Sequence, residues 1–300
     1  MEDREDCQSW LQSNCPTFWS LLNESARRSL PLGIIEYIEE GGEAKVKISK
    51  THLKNGEKSL LLLIKCCGLK DVQHAYRRDL SGIATAKRLS EFLCEVFLCS
   101  SLSKLSPKIN LCPSSGKGTF CDVFFRLGDF NVYGEAKRYE DNWPMEETKP
   151  SKRSIVKAKP GENIKEGVRP RYMDLFSKLQ GVPNQFPEGT LNILFLFHPS
   201  MTGEAGRYIR QALFGEHEFF TKSGEPELHE DGLFALQDWS DISACCFSRI
   251  EPVEGNLQCI AVWRNPRAAE PIPTQVRAAL DSLKPKSDKS YERKLVALMN

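Results

Sequence analysis

The spacing of apolar positions changes period several times along the chain. From about Asp71 to Leu102 there are helix formers and no proline, and Ile83, Ala86, Leu89, Leu93, Val96 and Phe97 fall on one side of a 3.6-residue wheel. This predicts a long amphipathic helix. A short run at 108–112 reads as a strand, and Phe120 to Tyr139, FCDVFFRLGDFNVYGEAKRY, alternates on either side of Gly128-Asp129 as a hairpin does. PRYMDLFSKLQ returns to helical spacing and is closed by Gly181 and Pro183. TLNILFLFH is apolar at nearly every position, the composition of a strand covered on both faces. Beyond it the pattern predicts a helix near 204–214, strands near 242–250 and 257–264, and a helix near 273–283. Upstream, PTFWSLLNESARRSL and LGIIEYIEE predict a helical piece over 16–40, broken at Pro31 and ended by Gly41-Gly42. AKVKISK alternates, whereas EKSLLLLIKCC fits helix or strand equally.

From 73 to 198 the order is helix, three strands, helix, strand. The expected fold class is α/β, a mixed central sheet flanked by helices. A mostly helical accessory segment is expected at 1–72, the α/β core at 73–284, and a mildly basic tail at 285–300.

Composition narrows the setting. Three hundred residues can bury a sizeable core, and 40% hydrophobic with 27% charged residues is ordinary for a globular protein. A net charge of +1 gives no whole-chain attraction to a polyanion, so any basic surface must be local. The start, MEDREDCQSWLQSNC, is acidic and polar where a signal peptide has a basic start and an apolar run. The apolar stretches fall short of the roughly 18–20 residues a membrane span needs. The eleven cysteines include no CxxC, and the five histidines have no zinc-like spacing. Reduced, buried thiols and a cytoplasmic location are expected.

The hairpin carries the candidate chemistry. With Gly128-Asp129 as a two-residue turn, antiparallel partners place Asp122 opposite Glu135, and Lys137 two residues further along the same face. Phe124, Arg126 and Tyr133 share that face, while Cys121, Val123, Phe125, Val132, Gly134 and Ala136 form the apolar one. Opposed residues have Cβ atoms about 5 Å apart, where two carboxylates repel unless something positive lies between them. A divalent cation such as Mg²⁺ accepts one or two carboxylates and fills its remaining positions with water and phosphate oxygens. A lysine beside it orients a water or balances phosphate charge, which describes phosphodiester hydrolysis.

An acid on one strand, a hairpin, then Glu-x-Lys on the next, within this element order, resembles the PD-(D/E)xK, or restriction-endonuclease-like, nucleases. The resemblance covers roughly residues 80–200. It implies a restriction-endonuclease-like core and a Mg²⁺ or Mn²⁺ site at Asp122, Glu135 and the backbone carbonyl of Ala136, with Lys137 as the catalytic lysine. It also implies a carboxylate from the first helix, for which Glu91 and Glu95 are both candidates, and a polar residue from the second helix, among Arg171, Lys178 and Gln180. Cys121 stands where the motif has proline.

Glu-x-Lys occurs four times, starting at Glu43, Glu135, Glu147 and Glu292, and only Glu135 has an acid across a predicted hairpin. Between Lys149 and Tyr172, eight Lys or Arg residues stand against two acids. Lys152, Arg153, Lys157, Arg169 and Arg171 are the candidates there for tracking nucleic-acid phosphates, with Tyr139, Trp143 and Tyr172 available for base stacking. A solvated loop is the alternative for that segment. SSGKGT lacks the first glycine and the final hydroxyl residue of a P-loop, which argues against an NTPase. The expected function is metal-dependent hydrolysis of DNA, with RNA as a possible substrate. The alternative is a catalytically inactive nuclease-fold module that binds nucleic acid or protein.

Overall fold

The computed structural model describes residues 2–29, 50–81, 83, 86–106, 108–138, 171–197, 203–215, 226–250 and 255–284. Its centre is a six-stranded mixed sheet in the order β1 (Ile109–Leu111), β2 (Val123–Leu127), β3 (Phe130–Arg138), β4 (Leu191–Phe197), β5 (Ala244–Ile250) and β6 (Leu257–Arg264). The first three strands form an antiparallel meander, β4 and β5 add in parallel, and β6 returns antiparallel. The interior strand β4 is buried at all seven positions, as its unbroken apolar run requires.

Each face of the sheet has its own core. One contains Val123, Phe125, Val132, Ile193 and Phe195 against helices α4 (Lys50–Cys67), α6 (Ala86–Leu105) and α9 (Thr274–Asp281). The short N-terminal helices α1 (Glu2–Asn14), α2 (Pro16–Leu21) and α3 (Glu24–Ser29) add Leu11, Phe18 and Ala26 to the same core. They are tied down by Glu57 of α4, whose carboxylate accepts the Thr17 and Phe18 N–H groups at 2.8 Å each. Those donors lie in the first turn of α2, where no helical partner exists. The other face packs Leu194, Leu196, Cys245 and Phe247 against α7 (Arg171–Leu179) and α8 (Gly203–Phe214). Ten of the eleven cysteines have described side chains, all of them free thiols, and seven of these are buried.

The helical elements differ from expectation in several places, and one reading left open is decided. The single helix expected over 71–102 is two helices, α5 (Leu69–Ser81) and α6, with Ile83 fully buried between them. Gly82 and the β-branched Ile83 and Thr85 are weak helix formers, which explains a break at that point. Nor is α6 amphipathic in the ordinary sense: from Leu89 to Leu102 every residue is buried except Glu91 and Glu95. EKSLLLLIKCC belongs to α4, whose buried Leu53, Glu57, Leu60 and Leu63 recur at helical spacing. The described part of the 16–40 expectation, 16–29, is helical but broken at Leu22 and Asn23 between α2 and α3, while 30–40, with 44–49 of the alternating run and the 285–300 tail, lies outside the described residues.

Gly134 lets the central strands close. A Cβ there would lie 2.9 Å from Val123 Cγ1 and 3.1 Å from Phe195 Cε2. Gly134→Ala should therefore destabilise the fold by about 1–3 kcal/mol, the usual range for overpacking. Urea unfolding checks this, with a lower midpoint and an unchanged slope expected.

Candidate active site at the open end of the hairpin

The turn sets the register as the sequence predicts: Leu127 pairs with Phe130, Arg126 with Asn131, Phe124 with Tyr133, and Val123 with Gly134. Gly128 has φ +58°, the left-handed conformation that a primed hairpin turn demands. There β2 stops. β3 continues through Glu135, Ala136, Lys137 and Arg138, which pair with Leu194 to Phe197 of β4.

At this open end, side chains take over the ladder. Asp122 N–H donates to Glu135 Oε2 at 3.1 Å, and Ala136 N–H donates to Asp122 Oδ2 at 2.6 Å. Each carboxylate thus satisfies a backbone donor on the opposite segment, and the two acids are held against each other. Lys137 Nζ bonds the other oxygen of Glu135. Glu135 has 2% of its side chain exposed and Lys137 33%, so the acid is sealed while the ammonium reaches the opening.

Burial, and then the charge of Asp122, push the Glu135 carboxyl up to about 8, with Lys137 offsetting only part of this. Burial alone would lower the Lys137 ammonium, but Glu135, Asp122 and Glu95 outweigh it and the net shift is upward, so Lys137 stays cationic. Burial raises the Cys121 thiol as well, with Glu135 and Asp122 adding to it. This makes Cys121 a poor nucleophile.

The groups open into a cavity of about 430 Å³. It brings together Asp122, Glu135, Ala136 and Lys137 with both helix candidates, Glu91 and Glu95. The helix candidates now differ. Glu91 pairs with Arg88 at 3.4 Å, whereas the charge of Glu95 is felt by Lys137. His74, Arg88, Phe120, Arg138 and Gln185 also line the cavity, and the sequence pattern singles out none of them. Arg138 follows Glu-x-Lys directly, and Arg88 is three residues from Glu91, signals readable only once the pocket is known. Phe120, 57% exposed, is the largest departure from apolar burial at the site.

Other candidates lie elsewhere. Lys152, Arg153, Lys157, Arg169, Tyr139 and Trp143 fall outside the described residues, while Arg171 and Tyr172 open α7. Lys178 and Gln180 are exposed and are not among the described residues that line the cavity, which include Gln185 from the segment after α7. Cys121 departs from the face assigned to it. It joins the Leu194 side of the sheet, and its thiol donates to the Gln185 carbonyl at 2.7 Å. Strand alternation holds only from Val123 onward, because residues 121–122 precede β2. SSGKGT forms a turn, with Gly116 and Gly118 at φ +79° and +77° and Ser115 N–H donating to Thr119 O. Its Lys117 is engaged by Glu188 and Asp241 at 3.2 and 3.1 Å, and so is not poised over a phosphate.

Compared with protein-family models, curated proteins and solved structures, the chain matches none. The reading of the site therefore rests on its own chemistry. Among the described residues, no three His, Cys, Asp or Glu side chains are grouped to cage a metal ion. Two carboxylates and the neighbouring Ala136 carbonyl are instead a sparse oxygen set, of the kind a hydrated hard cation accepts. Each carboxylate oxygen carries two lone pairs, so an oxygen that accepts a hydrogen bond can still face a cation. Burial and the charge of Asp122 raise Glu135, and a hard cation such as Mg²⁺ or Mn²⁺ is the kind of group that would offset both.

The upward shift of Glu135 also links stability to pH. Its ordinary value is 4.5 and its folded value about 8, so between these the native state binds more protons than the unfolded chain. Stability should fall as pH rises through that window, be unpenalised below it, and carry the full cost above it. Urea midpoints across this range should decline in the wild type and decline less in Glu135→Gln. Equal slopes would mean that Glu135 titrates normally.

Proposed function

We propose that the chain is a Mg²⁺- or Mn²⁺-dependent nuclease of the restriction-endonuclease-like kind, hydrolysing phosphodiester bonds of DNA. The observation that carries this reading is the convergence of Asp122, Glu135 and Lys137 in the lining of one cavity, with Glu95 beside them. Asp122, Glu135 and the Ala136 carbonyl would hold the cation, which supplies Lewis-acid stabilisation of charge developing on the phosphate. Lys137 then orients the attacking water or neutralises a phosphate oxygen. The water oxygen forms the new bond to phosphorus as the ester oxygen departs. Glu95 or Glu91 is available to order further water in the cavity.

One observation favours the rival, a catalytically inactive binding module: the Lys137 contact already neutralises Glu135 without any ion. A salt-bridged hairpin end would need no further purpose.

Mg²⁺ titration calorimetry, run beside cleavage assays on single-stranded, duplex and branched DNA and on RNA, separates the two. Asp122→Asn should lose metal binding. Glu135→Gln should abolish metal-dependent cleavage while retaining or tightening DNA binding, because it removes negative charge facing the phosphate. Cleavage unchanged in Glu135→Gln would sink the nuclease assignment.

A further inference from the structure

Helix α5 is sharply two-sided. Val72, Tyr76 and Leu80 are buried, whereas Lys70, Gln73, His74 and Arg77 are exposed at i, i+3, i+4 and i+7, a spacing that puts all four on one face. These four line a second groove of about 1040 Å³, closed on its other side by the residues around Asn23 between α2 and α3. No carboxylate lies among the described residues lining it. His74 lines both this groove and the Glu135 cavity, so the two adjoin there.

The charge distribution differs between them. Among its described residues, the Glu135 cavity sets Glu91, Glu95 and Asp122, with the Glu135 carboxyl beside them, against the cations Arg88, Lys137 and Arg138. A polyanion reaching that cavity gains little net attraction from its walls, and its neighbouring phosphates need cations elsewhere. Lys70 and Arg77 supply them about 10 Å apart along the helix, given the rise of 1.5 Å per residue. Phe120, two residues from Asp122, offers an exposed ring at the same cavity. A base inside a duplex is already stacked on both faces, so such a ring suits an unpaired one.

We propose that the α5 face is the backbone track for a single nucleic-acid strand, whose phosphates run past His74 along Lys70 and Arg77 while an unpaired base stacks on Phe120. The position of the reacting phosphate rests on the nuclease reading. The track rests on the groove itself.

The test measures binding of a labelled single-stranded oligonucleotide, and of its blunt duplex, by anisotropy over a range of salt concentrations. All binding arms use Glu135→Gln protein to prevent cleavage. Adding Lys70→Gln with Arg77→Gln should flatten the salt dependence of log K by about 1.4, at about 0.7 per single-strand phosphate contact. Adding Phe120→Ala should weaken the single strand by about 5- to 150-fold and leave the duplex nearly unchanged. All three residues are exposed, and urea midpoints equal to the parent would confirm that the variants fold. An unchanged salt slope overturns the α5 track, as does failure of the parent to bind either oligonucleotide. Unchanged single-strand affinity in Phe120→Ala overturns the single-strand assignment. The expected binding changes without Mg²⁺-dependent cleavage by the wild type would sustain the track and refute the nuclease reading. Wild-type cleavage with an unaltered slope would do the reverse.

Discussion

The site depends on one constraint, the register between β2 and β3. Strand side chains alternate with a period of two, so a one-residue slip would carry Glu135 and Lys137 into the apolar layer of Val132 and Phe195. Gly128 at φ +58° fixes the turn length, and Gly134, pressed between Val123 and Phe195, fixes the depth at which the two strands meet. Where the backbone ladder ends, Asp122 and Glu135 exchange side-chain hydrogen bonds with the opposite main chain. The register thereby extends one step beyond the last strand pair, and that step holds the two acids together.

Such an arrangement is costly for a fold that only needs to be stable. Burial and the adjacent charge of Asp122 raise the proton affinity of Glu135, and Lys137 offsets only part of this. An apolar pair would pack there more favourably. Strain of this kind in the lining of a cavity is where a ligand of opposite charge gains most, and this links the local electrostatics to the proposed cation and phosphate chemistry. Helix α6 completes the setting. It is buried from Leu89 to Leu102 except at Glu91 and Glu95, so the only carboxylates on the central helix are turned to the same opening.

Much of this is legible in the residues. The alternation on either side of Gly128-Asp129, the solid apolar run of β4 and the Gly181–Pro183 stop after α7 each carry a local physical signal, and each element appears where that signal lies. Legibility fails where the deciding contacts are distant. EKSLLLLIKCC becomes helical because Leu53, Leu60 and Leu63 face a core built from the rest of the chain. The break between α5 and α6 is marked only by weak helix formers, while the burial of Ile83 that accompanies it is tertiary. Cys121 crosses to the opposite core because Gln185, sixty-four residues away, supplies an acceptor for its thiol.

The sequence by itself determined the hairpin, its register and hence the pairing of Asp122 with Glu135 and the proximity of Lys137, because turn geometry and strand period are local properties. It also determined an α/β order of elements, through the change of apolar period from helix to strand. Only the tertiary structure decided which helical carboxylate lies within electrostatic reach of Lys137, that Gln185 serves the cavity in place of Lys178 or Gln180, and that His74 joins it to the cationic face of α5. Those relations depend on how α5, α6 and the segment after α7 pack around the end of β3, and packing direction is set by the whole core, not by any one stretch of chain.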